Sequence, residues 1–414
     1  MAMMGPLVQA ITGGYFDLIS FDPRSAGKTI AMSCYQNSAE RVNAHLMNPN
    51  FNGHESDTML GRLWASTENL DTACYENKKE IGDLVGMSFT ARDYIRIAET
   101  LNEDGLLRYF GFSGGTVLGA TIAAMFPDKI ERMILDGVWN IHEYWHYHGV
   151  EGFSDTDKTF SGFLSTCIAA GERCPLSHLN RTADDLEKAT YELIEKVKYR
   201  PLPYQGKLID YTFVRNVIFL GITSVAQWPA VATFLDALFT GNMTELDAPL
   251  QTLSATEDPA FTENRFGIQC GDKPWRTSHL EDVLPVIDQV SSLSKLAGDR
   301  ISYDIEACVQ WKMDAKERYL GDYRVSTRHP ILIIGNTFDP VTPIVSARNA
   351  SASLEGSVVL EHHGFGHCSP AQVSRCTAKA TQVYFDNGTL PEPGSICEVD
   401  VPPFSNVTWQ DVLL

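Results

Sequence analysis

Ser113, Asp339 and His367 are three residues whose types and chain order could carry nucleophilic chemistry. Ser113 is the centre of Gly111-Phe112-Ser113-Gly114-Gly115, a G-x-S-x-G run. The chain holds 31 glycines in 414 residues, so chance would produce such a run in roughly one chain in six and context must decide. A serine hydroxyl is a poor nucleophile until an imidazole takes its proton. A carboxylate then fixes the imidazole's tautomer and stabilises the imidazolium. Asp339 closes "PILIIGNTFDP" and His367 sits in "GFGHCSP". Taken singly, Ser113 reads equally as a turn serine, Asp339 as the first polar residue before a helix and His367 as a surface loop residue. Asp22, in "SFDPR", is a second acid candidate that precedes the serine, and His362 and His363 are further base candidates.

The elements around these residues favour the joint reading. "YFDLISFD", residues 15–22, is an apolar run rich in strand formers and reads as a buried strand. "SFTARDYIRIAETLNEDG" reads as a helix N-capped by Thr90, with Tyr94, Ile97, Ala98 and Leu101 as its apolar stripe and Gly105 as its stop. "LLRYFGFS" is the next strand. After Ser113 the period changes: Gly115, Gly119 and Ala123 make a smooth helical stripe, Pro127 ends it and "RMILDGV" is another strand. Ser113 thus falls between strand and helix with small residues two positions to either side, as a sharp nucleophile-bearing turn requires.

From residue 140 to 328 the alternation gives way to helical patterns, including "TADDLEKATYELIEKVKYRP" with Leu186, Ala189, Leu193 and Val197 on one face. Alternation then resumes. Asp339 and His367 each follow a predicted strand, where open α/β sheets place their sites. Thr342-Pro343 and Ser369-Pro370 read as cap pairs for the helices that follow. The expected fold is α/β: a mostly parallel sheet flanked by helices, with a helical cap insertion. Its parts are 1–139 (core with the serine turn), 140–328 (cap) and 329–414 (core with acid, histidine and tail). Serine, acid, histidine is the chain order of α/β-hydrolases.

Composition narrows the partners. A net charge of -19 and a pI near 4.9 disfavour nucleic acid. No apolar run approaches the length of a membrane helix. The N-terminus lacks a basic, apolar, cleavable leader. Nine cysteines and five N-x-S/T sequons, at Asn180, Asn242, Asn349, Asn387 and Asn406, nevertheless point to a secreted or secretory-pathway glycoprotein with disulfides. "HEYWH" is a rival motif: His142 and His146 could hold zinc with Glu143 as base. No second motif singles out a third ligand, and the segment follows a strand directly, so it reads better as an aromatic cap segment; no metal or cofactor is expected.

With these residues in view, the chain resembles the tripeptidyl aminopeptidase-like serine hydrolases, α/β-hydrolases of fungal and actinobacterial type. "YFDLISFDPRSAGKT" resembles the family's F-D-P-R-G-x-G segment, with Ser25 in place of a glycine. "YFGFSGGT" resembles its nucleophile turn, with Gly114 where tyrosine is common. "PILIIGNTFDPVTP", "GFGHCS" and the tail "CTAKATQVYFDNGTLPEPGSICEVDVPPF" resemble its C-terminal segments. The resemblance implies Ser113 as nucleophile, Asp339 as orienting acid, His367 as general base and the Gly114 N–H as half of an oxyanion hole. It implies an exopeptidase releasing short peptides from free N-termini, a cap carboxylate holding the substrate ammonium. It also implies the pairs Cys34–Cys74, Cys167–Cys174, Cys270–Cys308 and Cys376–Cys397, leaving Cys368 free, either a target for thiol reagents beside the site or a buried small residue. An esterase, lactonase or thioesterase acting on a small molecule such as a secondary metabolite is the alternative, and a non-catalytic binding protein a third reading. The family's Gly-rich oxyanion loop and early strands would precede "FDLISFDPR"; the expectation is that this sequence is N-terminally short, and so poorly soluble and weakly active.

Overall fold

Apolar runs need cover on both faces, and four of them with a short edge strand form one parallel sheet. The strands are β1 (Leu107–Phe112), β2 (Ile130–Asp136), β3 (Leu332–Phe338), β4 (Val358–Phe365) and β5 (Ile396–Glu398), in that spatial order. Every neighbouring pair is parallel, with Ile134 opposite Leu332 and Ile334 opposite Leu360. The structure is a computed structural model and describes residues 5–101, 104–146, 149–253 and 258–413.

Parallel neighbours require crossovers, and helices supply them. Gly114–Met125 joins β1 to β2, Ile344–Ser353 joins β3 to β4, and Arg375–Asn387 joins β4 to β5. Because chain order equals spatial order, the C-terminal ends of four adjacent strands lie side by side on one edge of the sheet. Those ends carry Ser113, Asp136, Asp339 and His367.

Among the described residues of 140–328 the regular structure is helical apart from two two-stranded pairings, the hairpin Leu202–Tyr204 with Lys207–Ile209 and the bridge Val325–Ser326 to Leu354–Glu355. The amphipathic helix Ala183–Tyr199 buries Leu186, Leu193 and Val197 as its pattern requires, under a Thr182–Asp185 capping box. The core of this layer centres on Phe160, Phe163, Trp228 and Phe234, with Phe404 of the tail added to it. Upstream, Met32, Leu63 and the Cys34–Cys74 pair share a second core with Phe266, Tyr303, Trp311 and the Cys270–Cys308 pair. We propose that residues 140–328 form the cap. The Cys167–Cys174 and Cys376–Cys397 bonds complete the four pairings implied by the resemblance, and Cys368 is free.

Three local expectations change. Residues 15–22 form no strand: Tyr15 is 86% and Ile19 59% exposed. Phe16 packs on Phe385 and Phe21 on Tyr94 through their rings. Strand propensity without a neighbouring ladder does not make a strand. The following helix begins at Met87 rather than after Thr90, because the buried Asp272 carboxylate accepts the Met87 N–H at 3.0 Å. Thr90 instead bonds back to the Gly86 carbonyl, Leu101 is exposed and Ile95 takes its place in the core. The N-cap hydroxyls of Thr342 and Ser369 are drawn elsewhere, as described below.

Asp71 and Glu306 are buried, and neither carboxyl has a hydrogen-bond partner among the described residues. Burial raises Asp71 well above its ordinary value and Glu306 to about 9. The folded state therefore holds protons that the unfolded chain releases above its ordinary carboxyl range, so stability falls as pH rises through that interval. The thermal midpoint should drop steadily between pH 5 and pH 9, and Glu306→Gln should flatten the slope. A midpoint that rises over this range contradicts the assignment.

Candidate active site

Ser113 follows β1 directly with φ 52° and ψ -121°, a backbone region that side chains other than glycine rarely occupy. Hydrogen bonds hold it there. Its N–H donates to the Asp136 carbonyl at 3.0 Å, and its carbonyl accepts the Thr116 N–H at 2.8 Å and the Thr116 hydroxyl at 2.6 Å. The glycines around it are spacers. A Cβ on Gly111 would lie 2.5 Å from the Gly115 carbonyl oxygen, and one on Gly119 2.5 Å from Leu135. Gly114 is different: a Cβ there meets nothing within 4 Å, so packing does not impose glycine at that position. Gly114 opens the helix Gly114–Met125, and its N–H is one of the helix-start donors that have no intrahelical acceptor. Ser25, standing where the resembling family has glycine, adopts φ 88° and anchors its hydroxyl on the Asn264 carbonyl at 2.7 Å.

Asp339 follows β3 and has no solvent exposure. Its Oδ1 accepts the Val341 and Thr342 N–H groups, each at 2.8 Å. Its Oδ2 accepts the Thr342 hydroxyl at 2.9 Å and the Cys368 N–H at 3.0 Å. His367 Nδ1 donates to both oxygens, at 3.1 and 3.0 Å. Burial opposes the charge on Asp339, yet the His367 imidazole and the backbone donors outweigh it and hold the carboxyl below its ordinary value. Burial likewise opposes the imidazolium, and the Asp339 carboxylate overrides it, so His367 lies well above its ordinary value. With Nδ1 committed to Asp339, Nε2 is the ring nitrogen left to take a proton.

The histidine loop is pinned along its length. His367 N–H donates to the Thr223 carbonyl at 2.7 Å, and Asn336 Nδ2 donates to the Gly366 and Cys368 carbonyls at 2.9 and 2.8 Å. Ser369 sends its N–H and hydroxyl to the Asp136 carboxylate. Thr342 and Ser369 are therefore not helix caps. The helices they precede start later, at Ile344 and Arg375, the second capped by Ser374. A buried carboxylate competes for a hydroxyl more strongly than a helix start does.

Ser113, Gly114 and His367 line one cavity of about 1130 Å³. Its walls are mostly apolar, and Glu143, Asp210 and Asp304 are its carboxylates among the described residues. Asp304 is paired with Arg265, and Asp210 caps the Phe213 N–H at 2.8 Å. Glu143 is half-buried, accepts the Glu151 N–H at 3.2 Å and is raised by burial.

The remaining candidates lie apart. Asp22 is exposed and accepts the Lys28 N–H. His362 is buried in β4 against Thr377, with burial lowering it to about 4, and His363 pairs at the surface with Glu398. Within "HEYWH", His142 turns to Ser353 while Glu143 faces the cavity, and the His146 side chain lies outside the described residues. Sequence reading passes over Asp136 and Asn336 and gives Thr342 only a cap role. The signal for Asp136 was available: it ends the apolar run "RMILD" as Asp339 ends "ILIIGNTFD".

Residues 294–397 match the family model described as TAP-like protein. The chain carries a TAP-like domain. Over 96% of its length it is 28% identical to the tripeptidyl aminopeptidase of Streptomyces coelicolor, covering 72% of that protein. It is 24% identical to the tripeptidyl aminopeptidase of Streptomyces lividans over 96% of the chain and 73% of that protein. Serine protease Hip1 of Mycobacterium tuberculosis is 24% identical over 92% of the chain and 74% of its own length. Fold and relatives agree on a serine hydrolase of the α/β-hydrolase type, and the four disulfides suit an oxidising compartment.

Cys368 is 6% exposed, and burial pushes its thiol up to about 11. Its thiolate, the reactive form, is therefore scarce at neutral pH. Iodoacetamide at pH 7.5 should leave activity intact and alkylate Cys368 only after unfolding. Alkylation of the native protein matched by loss of activity would contradict this.

Proposed function

We propose that the chain is a secreted exopeptidase that releases short peptides from free N-termini through an acyl-enzyme on Ser113. The observation that carries this reading is His367, bound through Nδ1 to the buried Asp339 and lining the same cavity as a serine held in a strained turn. Ser113 Oγ attacks the scissile carbonyl as His367 Nε2 takes its proton. The Gly114 N–H donates to the developing oxyanion. His367 then protonates the leaving amine, and water repeats the sequence in reverse to free the acid. For the substrate ammonium the best-suited group is Glu143. Asp304 is already paired with Arg265 and Asp210 caps a helix start, whereas Glu143 follows β2 at the mouth of the helical layer and has no cationic partner among the described residues. The predominantly apolar cavity walls favour a second reading, a small-ester hydrolase that uses the same three residues.

Aminoacyl and tripeptidyl arylamides, with free and acetylated N-termini, separate the two beside p-nitrophenyl esters. The exopeptidase reading expects strong preference for the free amine, lost in Glu143→Gln by a roughly ten- to hundred-fold rise in KM, the worth of one charged hydrogen bond. Equal turnover of acetylated and free substrates would favour the esterase.

Ser113→Ala should abolish turnover with the thermal midpoint almost unchanged, and Asp339→Asn should cut kcat by about 10⁴. Turnover by the Ser113 variant at the wild-type rate would remove Ser113 as nucleophile. Because Asp339 holds His367 above its ordinary value, the acid limb of kcat/KM should have its midpoint above pH 6.5. In Asp339→Asn the limb should move to lower pH. A limb unmoved by the substitution would mean that His367 does not take its charge from Asp339.

A further inference from the structure

One residue touches both halves of the candidate machinery and belongs to neither. Asp136 ends β2, between the strand that leads to Ser113 and the strand that leads to Asp339. Its backbone carbonyl accepts the N–H of Ser113 at 3.0 Å, the bond that holds the strained turn. The Cys368 thiol approaches the same carbonyl oxygen at 3.5 Å. Its carboxylate, fully buried, accepts the Ser369 N–H on Oδ1 at 2.9 Å and the Ser369 hydroxyl on Oδ2 at 2.6 Å. Ser369 is two residues from His367. The next residue, Gly137, at φ 67°, lets the histidine loop close in: a Cβ there would stand 2.4 Å from Cys368 Sγ.

We propose that Asp136 is a positioning residue that sets the separation of Ser113 and His367, its main chain holding the serine turn and its side chain holding the histidine loop. The separation matters because misplacing a reacting group by about 1 Å costs on the order of a hundredfold in rate. Asp339 holds the loop from one side through Cys368 N–H, and Asp136 holds it from the other through Ser369. Removing either anchor leaves a hinge at Cys368, whose backbone at φ 65° is already outside the ordinary range. The environment of Asp136 supports a dedicated role. It faces Asp339, His367 and Cys368, and burial raises it to about 7 in spite of the Ser369 bonds. A carboxyl that costs this much to bury would be replaced by an apolar residue without loss if only packing were needed.

The inference rests on reading Ser113 and His367 as nucleophile and base, so the experiment carries its own control. With p-nitrophenyl acetate as probe, kcat and KM are measured for wild type, Ser113→Ala, Asp136→Asn, Ser369→Ala and Ser369→Thr, together with the thermal midpoint of each. Ser369→Ala deletes only the hydroxyl, and Asp136→Asn keeps shape while replacing one of the two acceptor oxygens by a donor amide. Both should lower kcat roughly ten- to hundred-fold, as leaving a buried polar group mispaired predicts, with KM changed less than about twofold. Ser369→Thr keeps the hydroxyl and should retain most of the turnover. Full activity of Asp136→Asn and Ser369→Ala beside an inactive Ser113→Ala would overturn the inference and leave the nucleophile standing. A loss of kcat that follows the loss of thermal midpoint, with no rescue by threonine, would make Asp136 a folding residue and overturn it equally. Activity in Ser113→Ala would overturn the underlying reading itself.

Discussion

A carboxylate with no exposure, at the end of an apolar strand, must be surrounded by donors or give up its charge. Asp339 is surrounded by five: two backbone N–H groups from the turn after β3, the Thr342 hydroxyl, the Cys368 N–H and His367 Nδ1. Much else follows from that requirement. The turn after β3 is shaped to aim its N–H groups inward. The histidine loop is drawn to the strand end because two of its donors are needed there. The imidazole, once bound through Nδ1, has its orientation and tautomer fixed. Asp136 repeats the arrangement one strand away with Ser369 as donor, so the loop is held between two buried acids.

The strands deliver these acids to one place for a topological reason. Sequential parallel order stacks the C-terminal ends of β1 to β4 side by side, and each end carries one candidate site residue. Helical crossovers with small-residue faces keep the spacing tight; Gly119 against Leu135 is the clearest contact. Above this edge, the helical layer supplies most of the cavity walls, and a shared core packs it against the segment around Cys34 and Cys74, with one disulfide inside each partner.

Much of this was legible in the sequence. The change of period at Ser113, the glycines two positions to either side, and the apolar runs ending in Asp339 and before His367 each have a local physical cause, so a single chain shows them. The failures share a cause as well. Thr342, Ser369 and Thr90 were read as helix caps because a hydroxyl before a helix usually serves one. In each case a tertiary partner intervened: Asp339 and Asp136 took the first two hydroxyls, and Asp272 capped the third helix from a distant segment. Residues 15–22 failed for the complementary reason, since a strand needs a ladder that no local pattern can supply. Ser25 at positive φ shows that a family glycine can be replaced where a side-chain hydrogen bond compensates.

The central claim is that the Asp339–His367 pair makes Ser113, among all the chain's serines, the nucleophile. Treatment of the folded protein with a fluorophosphonate, followed by intact-mass measurement and peptide mapping, tests it most directly. The account predicts a single adduct, on Ser113, formed far more slowly when Asp339 is replaced by asparagine and not at all when His367 is replaced by alanine. An adduct on another serine, or no adduct on correctly folded protein, would contradict it.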